Sequence, residues 1–159
     1  MSLYSEHPTV LVAGLETARR EVLRQRLREA GFRVIATLTS ALQTIHAAWE
    51  LEPELCIVDA SLLARGVPVV RPIKVRLPST KIVVTLPRLD SDATVDAVAD
   101  GATACVLEQE LLAEPAAVLR AALAGQATLS ADLARDLCDE VRGARPARAP
   151  FVTGASITR

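Results

Sequence analysis

Three polar side chains, Asp59, Thr85 and Glu108, each come directly after a short run of apolar residues. If those runs are neighbouring parallel strands, their carboxyl ends meet at one edge of a sheet, where such sheets hold ligands and reactive groups. A carboxylate and a hydroxyl that meet at that edge form a candidate site. Whether they do meet depends on the elements that carry them.

The apolar runs predict strands that are buried on both faces of a sheet. There are five of them: Val10–Ala13, Val34–Ala36, Leu55–Val58, Ile82–Val84 and Cys105–Leu107. Four are followed by apolar residues at helical spacing: Leu23, Leu27 and Ala30, then Leu42, Ile45 and Trp49, then Val95 and Val98, then Leu112, Ala116, Leu119 and Leu123. After the third run, three prolines limit the helix to about two turns near Ile73–Leu77.

Strands that alternate with helices are joined by right-handed crossovers, which produce a parallel sheet with helices on both faces. The sequence therefore predicts an α/β fold, a doubly wound five-stranded parallel sheet of order 2-1-3-4-5. Ser130, followed by Leu133, Leu137 and Val141, predicts an extra C-terminal helix. We divide the chain into a tail over 1–8, a domain over 9–128, a helix over 129–142 and, over 143–159, a linker or the start of a further module.

The composition fits one domain and argues against several classes of protein. Half of the 159 residues are hydrophobic but only 3% are aromatic, so the core is aliphatic. The net charge of −1 argues against nucleic-acid or membrane binding by the whole chain. No apolar stretch approaches the ~18 residues of a membrane span. Cys56, Cys105 and Cys138 lie in apolar stretches and predict buried, reduced thiols in a cytoplasmic protein.

Motifs of common enzyme classes are missing from the sequence. It contains no Gly-x-Ser-x-Gly nucleophile elbow and no Gly-x-Gly-x-x-Gly loop after the first strand. His7 and His46 lack the neighbouring ligands of a metal site. We therefore expect a module that is not an enzyme and holds no metal.

Charge is distributed unevenly between two consecutive segments. Residues 60–89 contain six basic residues and no acid, whereas residues 90–119 contain seven acids and no base. A solvated face is one interpretation of the acidic segment. The other is a surface for a second copy or a protein partner, centred on Asp92, Asp96, Asp100 and Glu110.

Several short segments, in order and spacing, carry a resemblance to a known family. They are Thr9–Ala13, Cys56–Leu62 around Asp59, Val83–Thr85, Ala99–Ala102 and Ala124–Ser130. Over residues 8 to 142 the chain resembles the receiver domain of bacterial response regulators, most closely the NarL/LuxR-like group. The resemblance implies a flavodoxin-like fold, two-component signal transduction, and control of transcription. It also implies that the acidic segment is a dimerisation and output face.

The resemblance assigns roles to the strand-end residues and shows that several are altered. Asp59 corresponds to the phosphoacceptor and Thr85 to the switch hydroxyl. Gly14 and Leu15 stand where the family has an acidic pair that holds Mg²⁺, and Glu108 stands where it has a lysine. Phosphoryl transfer to a carboxylate needs that cationic charge to neutralise the phosphoryl oxygens. We therefore expect a degenerate site that binds Mg²⁺ and phosphoryl donors poorly.

Several expectations about single residues follow. Glu16 is the one candidate for a residual metal ligand beside the missing pair. Asp59 is expected to bond to a neighbouring amide or to pair with Arg65 or Arg88, which could also contact an anion. Glu108 is expected to be a solvated strand-end acid. If instead Glu108 approaches Asp59, one of the two carboxyls should have a raised pKa and respond to pH.

The function that we expect is regulation without phosphorylation, through dimerisation, a partner or a ligand. Two alternatives stay open: a flavodoxin-like module that binds a small molecule, and a receiver that is still phosphorylated on Asp59. Ser156–Arg159 resembles the opening of a LuxR-type helix-turn-helix module. On that interpretation, contact with DNA belongs to a module that this chain does not contain.

Overall fold

The structure is a computed structural model that describes residues 6–14 and 16–144. Its sheet is entirely parallel and has the order β2-β1-β3-β4-β5-β6. The strands are β1 (Thr9–Ala13), β2 (Arg33–Leu38), β3 (Leu55–Asp59), β4 (Lys81–Leu86), β5 (Ala104–Leu107) and β6 (Thr128–Leu129). The predicted order of the first five strands is confirmed. β6 was not predicted because two residues are too few to form an apolar run.

Eight helices are present in the described part of the chain. They are α1 (Thr17–Glu29), α2 (Ala41–Leu51), α3 (Ala60–Leu63), α4 (Val70–Arg76), α5 (Ser91–Ala99), α6 (Glu108–Ala113), α7 (Pro115–Leu123) and α8 (Ala131–Ala144). α2, α3, α4, α5 and α8 pack on one face of the sheet, and α1, α6 and α7 pack on the other. The sheet is therefore doubly wound, as predicted.

One helix, α5, buries a different row of residues from the one predicted. α5 buries Thr94 and Ala97, and it leaves Val95 and Val98 about half exposed. Both rows have the helical spacing of three residues, so spacing alone does not tell which row faces the sheet. The buried Thr94 hydroxyl donates to the backbone oxygen of Asp90 at 2.8 Å, so its burial leaves no donor unpaired. In α2, the predicted Ile45 is buried and Trp49 packs against the core, whereas Leu42 is exposed.

The extra C-terminal helix is present as α8, and Ser130 caps it. The Ser130 Oγ accepts a hydrogen bond from the Leu133 amide at 3.2 Å, and Leu133 is buried in the core. The helix spans Ala131–Ala144 rather than the predicted 129–142. In the described residues, no helix has the length and apolar character needed to cross a membrane.

The cysteine prediction is correct for two of the three thiols. Cys56 and Cys105 are buried in β3 and β5, and burial raises their pKa values to about 12 and about 11. Cys138 is exposed, so its predicted burial was wrong. The reason is that α8 buries only the side that carries Leu133.

Candidate site at the carboxyl edge of the sheet

The register of β3 and β4 places Asp59 directly beside Thr85. Both side chains are buried, and the Thr85 Oγ1 donates to the Asp59 Oδ1 at 3.2 Å. Parallel neighbours in one register end at the same edge, which is why two residues far apart in sequence become partners. The structure thus brings together the carboxylate and the hydroxyl that were singled out in the sequence.

The other Asp59 oxygen is taken by Ser61. The Ser61 amide donates to the Asp59 Oδ2 at 3.2 Å, and the Ser61 hydroxyl donates to the same oxygen. Asp59 therefore caps the first turn of α3, a common use of an aspartate two residues before a serine. Ser61 was not among the predicted site residues, although the Asp-x-Ser spacing was a usable signal. The expected bond to a neighbouring amide is present.

Neither arginine that was proposed as a partner of Asp59 pairs with it in the described structure. Arg65 is exposed in the turn after α3, and Arg88 is exposed in the loop after β4. The two hydroxyl groups and the Ser61 amide satisfy Asp59 instead.

Glu108 is buried, contrary to the expectation of a solvated acid. It is the first residue of α6, only 8% of it is exposed, and its Oε2 lies 3.2 Å from the Nη1 of Arg19 on α1. Burial raises the pKa of the Glu108 carboxyl, Arg19 lowers it in part, and the carboxylates of Asp59 and Glu16 raise it further. The prediction failed because α1 covers this end of the sheet.

Arg19 is the main residue that sequence reasoning missed. Its contact with Glu108 joins α1 to the start of α6, and no local pattern marks a pair so distant in sequence. Its Nε is buried and has no hydrogen-bond partner in the described part of the chain. Arg19 therefore brings a guanidinium close to a carboxylate at the position where the resemblance implies a lysine.

Gly14 has a backbone conformation that disfavours any side chain. Its φ is +96°, and a Cβ placed there would lie 3.2 Å from the Asp59 Cβ and 3.1 Å from the Leu62 Cβ. An acidic residue at position 14 would need this backbone to shift. Leu15, the other position of the altered pair, lies outside the described residues, and Glu16 is exposed just before α1.

These donors do not fit the Mg²⁺ that the resemblance implies. Mg²⁺ needs an octahedral set of oxygen ligands with carboxylates free to bind it. Asp59 is engaged by Ser61 and Thr85, and Glu108 is engaged by Arg19. In the described ranges, no three Asp, Glu, His or Cys residues are grouped to hold a metal ion.

The predicted acidic face is divided between two surfaces. Asp92 and Asp96 lie on α5 and Asp100 directly follows it, on one side of the sheet, whereas Glu110 lies on α6 on the other side. β6 pairs with β5 between them, and α8 packs against α5. The extra helix was predicted, but the charge pattern alone could not show that the acidic residues lie on opposite faces of the sheet.

The fold of this chain is similar to that of several solved structures. A scan against protein-family models finds no match, and a search of curated proteins finds none. A LuxR-family two-component response regulator from Aurantimonas sp. SI85-9A1 has a TM-score of 0.74 and 22% identity, over 86% of this chain and 99% of that one.

Two RcsB structures are similar in the same way. The isolated REC domain of RcsB from Salmonella enterica serovar Typhimurium, with the phosphomimetic BeF₃⁻, has a TM-score of 0.69 and 18% identity, over 82% of this chain and 99% of that one. RcsB in a complex with DNA has a TM-score of 0.71 and 16% identity, over 88% of this chain and 72% of that one. The chain therefore has the fold of response regulator receiver domains.

Proposed function

We propose that this chain is the regulatory module of a LuxR-type response regulator and that it works without accepting a phosphoryl group. The fold supports the signalling role, because the similar structures are receiver domains of response regulators. The pairing of Asp59 with Thr85 supports it further, since these are the positions of the family's phosphoacceptor and switch hydroxyl. On this proposal the module binds and changes shape but catalyses nothing.

The ion pair of Glu108 with Arg19 is the observation that carries the phosphorylation-independent part. The resemblance implies a lysine at position 108, and a lysine would neutralise the phosphoryl oxygens. Glu108 instead places a carboxyl group near Asp59, and the Asp59 carboxylate is one of the causes that raise the pKa of Glu108. Arg19 is already paired with Glu108, so its charge compensates that carboxylate first.

The surroundings of Gly14 support the same proposal. A phosphoryl donor reaches a carboxylate with the help of Mg²⁺, which the family holds with an acidic pair. Position 14 has no side chain, and its positive φ and close neighbours disfavour one. We therefore propose that no Mg²⁺ is bound and that no cofactor is needed.

Another input must then bias the module between its conformations. A receiver stores two states of similar free energy, and any partner that prefers one state shifts the balance. Two RcsB dimers bound to DNA are among the similar structures. By analogy we propose that dimerisation or a protein partner supplies the bias here, and that contact with DNA is made outside residues 6–144.

A receiver that is still phosphorylated on Asp59 is the second candidate. Asp59 and Thr85 keep the register and contact that such a site requires, and Arg19 supplies a cation at the same edge. This candidate differs from the first in one measurable property, the mass of the protein after exposure to a phosphoryl donor.

The deciding experiment incubates the protein with acetyl phosphate and Mg²⁺ and follows its intact mass. We expect no phosphoryl adduct on the natural protein or on Asp59→Asn. Glu108→Lys, which restores the charge of the family's residue, tests whether charge is the obstacle. An adduct on the natural protein that disappears in Asp59→Asn would establish the second candidate instead.

A further inference from the structure

A groove runs between α5 and the segment that connects α3 to α4. It encloses about 680 Å³ and is continuous with the carboxyl edge of the sheet, because Ser61 and Leu86 line it. Its floor is apolar and includes the buried Leu86 and Ala97. Its outer wall includes Val67 and Pro68, which are both exposed. We call this feature the α5 groove.

One wall of the α5 groove carries a row of carboxylates. Asp92, Asp96 and Asp100 line it at intervals of four residues, which places Asp92 and Asp96 on one face of α5 and Asp100 at the C-terminal end of that face. Like charges at this spacing repel each other. Arg71 reduces this repulsion at Asp100, because the Arg71 Nη2 lies 3.1 Å from the Asp100 Oδ1. Asp92 and Asp96 have no such ion pair among the described residues.

Above the apolar floor, the lining carries four carboxylates, Asp90, Asp92, Asp96 and Asp100, and one base, Arg88, so the groove is acidic on balance. A complementary ligand carries guanidinium or ammonium groups on one side and small apolar groups on the other. The contact of Arg71 with Asp100 shows that an arginine fits this row, since the same guanidinium also donates to the Ala99 carbonyl at 3.3 Å.

The sequence of this chain contains a segment with that chemistry. Residues 145–152 read Arg-Pro-Ala-Arg-Ala-Pro-Phe-Val, with two arginines among alanines, prolines and larger apolar residues, and with no acid. We propose that this segment docks in the α5 groove of its own chain and places Arg145 and Arg148 against Asp92 and Asp96. The proposal goes beyond the regulatory function above and does not depend on whether Asp59 accepts a phosphoryl group.

α8 contacts α5 beside one end of the groove. The Asp136 Oδ2 lies 3.3 Å from the Ser91 Oγ, and Ser91 stands between two groove residues, Asp90 and Asp92. α8 continues from that contact to Ala144, about 12 Å further along a helix that rises 1.5 Å per residue. Residues 145–152 reach about 26 Å when extended. The chain is therefore long enough to return to α5.

Docking would couple the segment to the candidate site. Leu86 lies in the groove and directly follows Thr85, and Ser61 lies in the groove and bonds to Asp59. A segment seated there and a partner protein that binds the same acidic wall would exclude each other. The segment would then be a built-in competitor for the output surface.

The experiment places a nitroxide spin label at Ala149→Cys in the full ¹⁵N-labelled chain. Cys138→Ser removes the exposed native thiol, and Cys56 and Cys105 are buried, so the label attaches at one position. We expect a loss of peak intensity for the amides of Val67, Ala93 and Ala97, which line the groove. The loss should disappear at about 1 M salt, where screening acts over about 3 Å.

Two double variants separate charge recognition from general proximity. Asp92→Asn with Asp96→Asn should restore the groove signals. Glu50→Gln with Glu52→Gln removes the same charge from exposed positions at the end of α2 and should leave the loss unchanged. The proposal is overturned if the groove amides keep full intensity in the labelled parent protein. It is also overturned if the loss appears only between spin-labelled chains and separate ¹⁵N-labelled chains, because a second copy would then be the occupant.

Discussion

Arg19 and Glu108 tie α1 to the start of α6 through an ion pair with 3.2 Å between Nη1 and Oε2. The guanidinium is partly exposed, whereas the carboxylate is nearly enclosed. Burial therefore acts mainly on Glu108. It raises the pKa of the Glu108 carboxyl more than the attraction of Arg19 lowers it, so the net shift is upward. The pair stands where the family resemblance implies a lysine, so an acid and a base together occupy the position of a single cation.

Glu108→Gln should reduce the dependence of stability on pH. The pKa of Glu108 is higher in the folded protein than the ordinary value of 4.5, so the folded state binds the proton more tightly. The stabilising contribution is complete below pH 4.5 and is lost as the pH rises through the folded pKa. Glu108→Gln cannot titrate at this position, so its free energy of unfolding should not show this loss. Urea unfolding across that pH range measures the free energy of unfolding of both proteins. Glu110→Gln is the control on the same helix, and an identical change in both variants would contradict the assignment to Glu108.

Gly14→Ala should destabilise the protein more than Gly66→Ala does. Both residues have positive φ, so each substitution costs about 1–2 kcal/mol in backbone strain. A Cβ at Gly14 also meets Asp59 and Leu62 at 3.1–3.2 Å, whereas a Cβ at Gly66 meets nothing within 4 Å. Urea unfolding of the two variants isolates the cost of crowding at the site. Equal losses would show that the space beside Asp59 is not restricted.

Thr85→Val should cost about 1–3 kcal/mol, because it removes a donor from a buried carboxylate. The matched control is Thr80→Val, which removes a buried hydroxyl that donates to the Pro53 carbonyl at 2.8 Å. A bond to a neutral acceptor contributes about 0.5–1.5 kcal/mol, so the control should lose less. A smaller loss for Thr85→Val would mean that its hydroxyl does not support Asp59.

A thiol reagent should label Cys138 alone in the native protein. Cys56 and Cys105 are buried and their pKa values are about 12 and about 11, so both accessibility and thiolate content are low. Mass spectrometry should find one adduct before unfolding and three after it, as the three cysteines are all free. Rapid native labelling of Cys56 would contradict the placement of β3 at the centre of the sheet.

The sequence allowed the sheet to be predicted more completely than the site. Short aliphatic runs identify buried strands, crossover rules make the sheet parallel, and the five-unit doubly wound topology supplies the strand order, so Asp59 and Thr85 could be expected at one edge. Features that depend on distant packing were not visible. Glu108 is buried only because α1 covers it, and Arg19 becomes its partner only after folding. Ser61 was predictable from its spacing to Asp59, but the α5 row Thr94 and Ala97 was not, since both rows have helical periodicity.

The two outermost strands of the sheet, β2 and β6, also determine how copies of this protein could join. β6 is an edge strand of only two residues, so it offers few backbone groups to another strand. β2 is the opposite edge strand. Its pairing with β1 skips Ile35, and it begins at the exposed Arg33. A skipped residue and a charge at a border both hinder the addition of a strand. Continuous sheets that extend from one molecule to the next are therefore disfavoured, and self-association is left to helical surfaces.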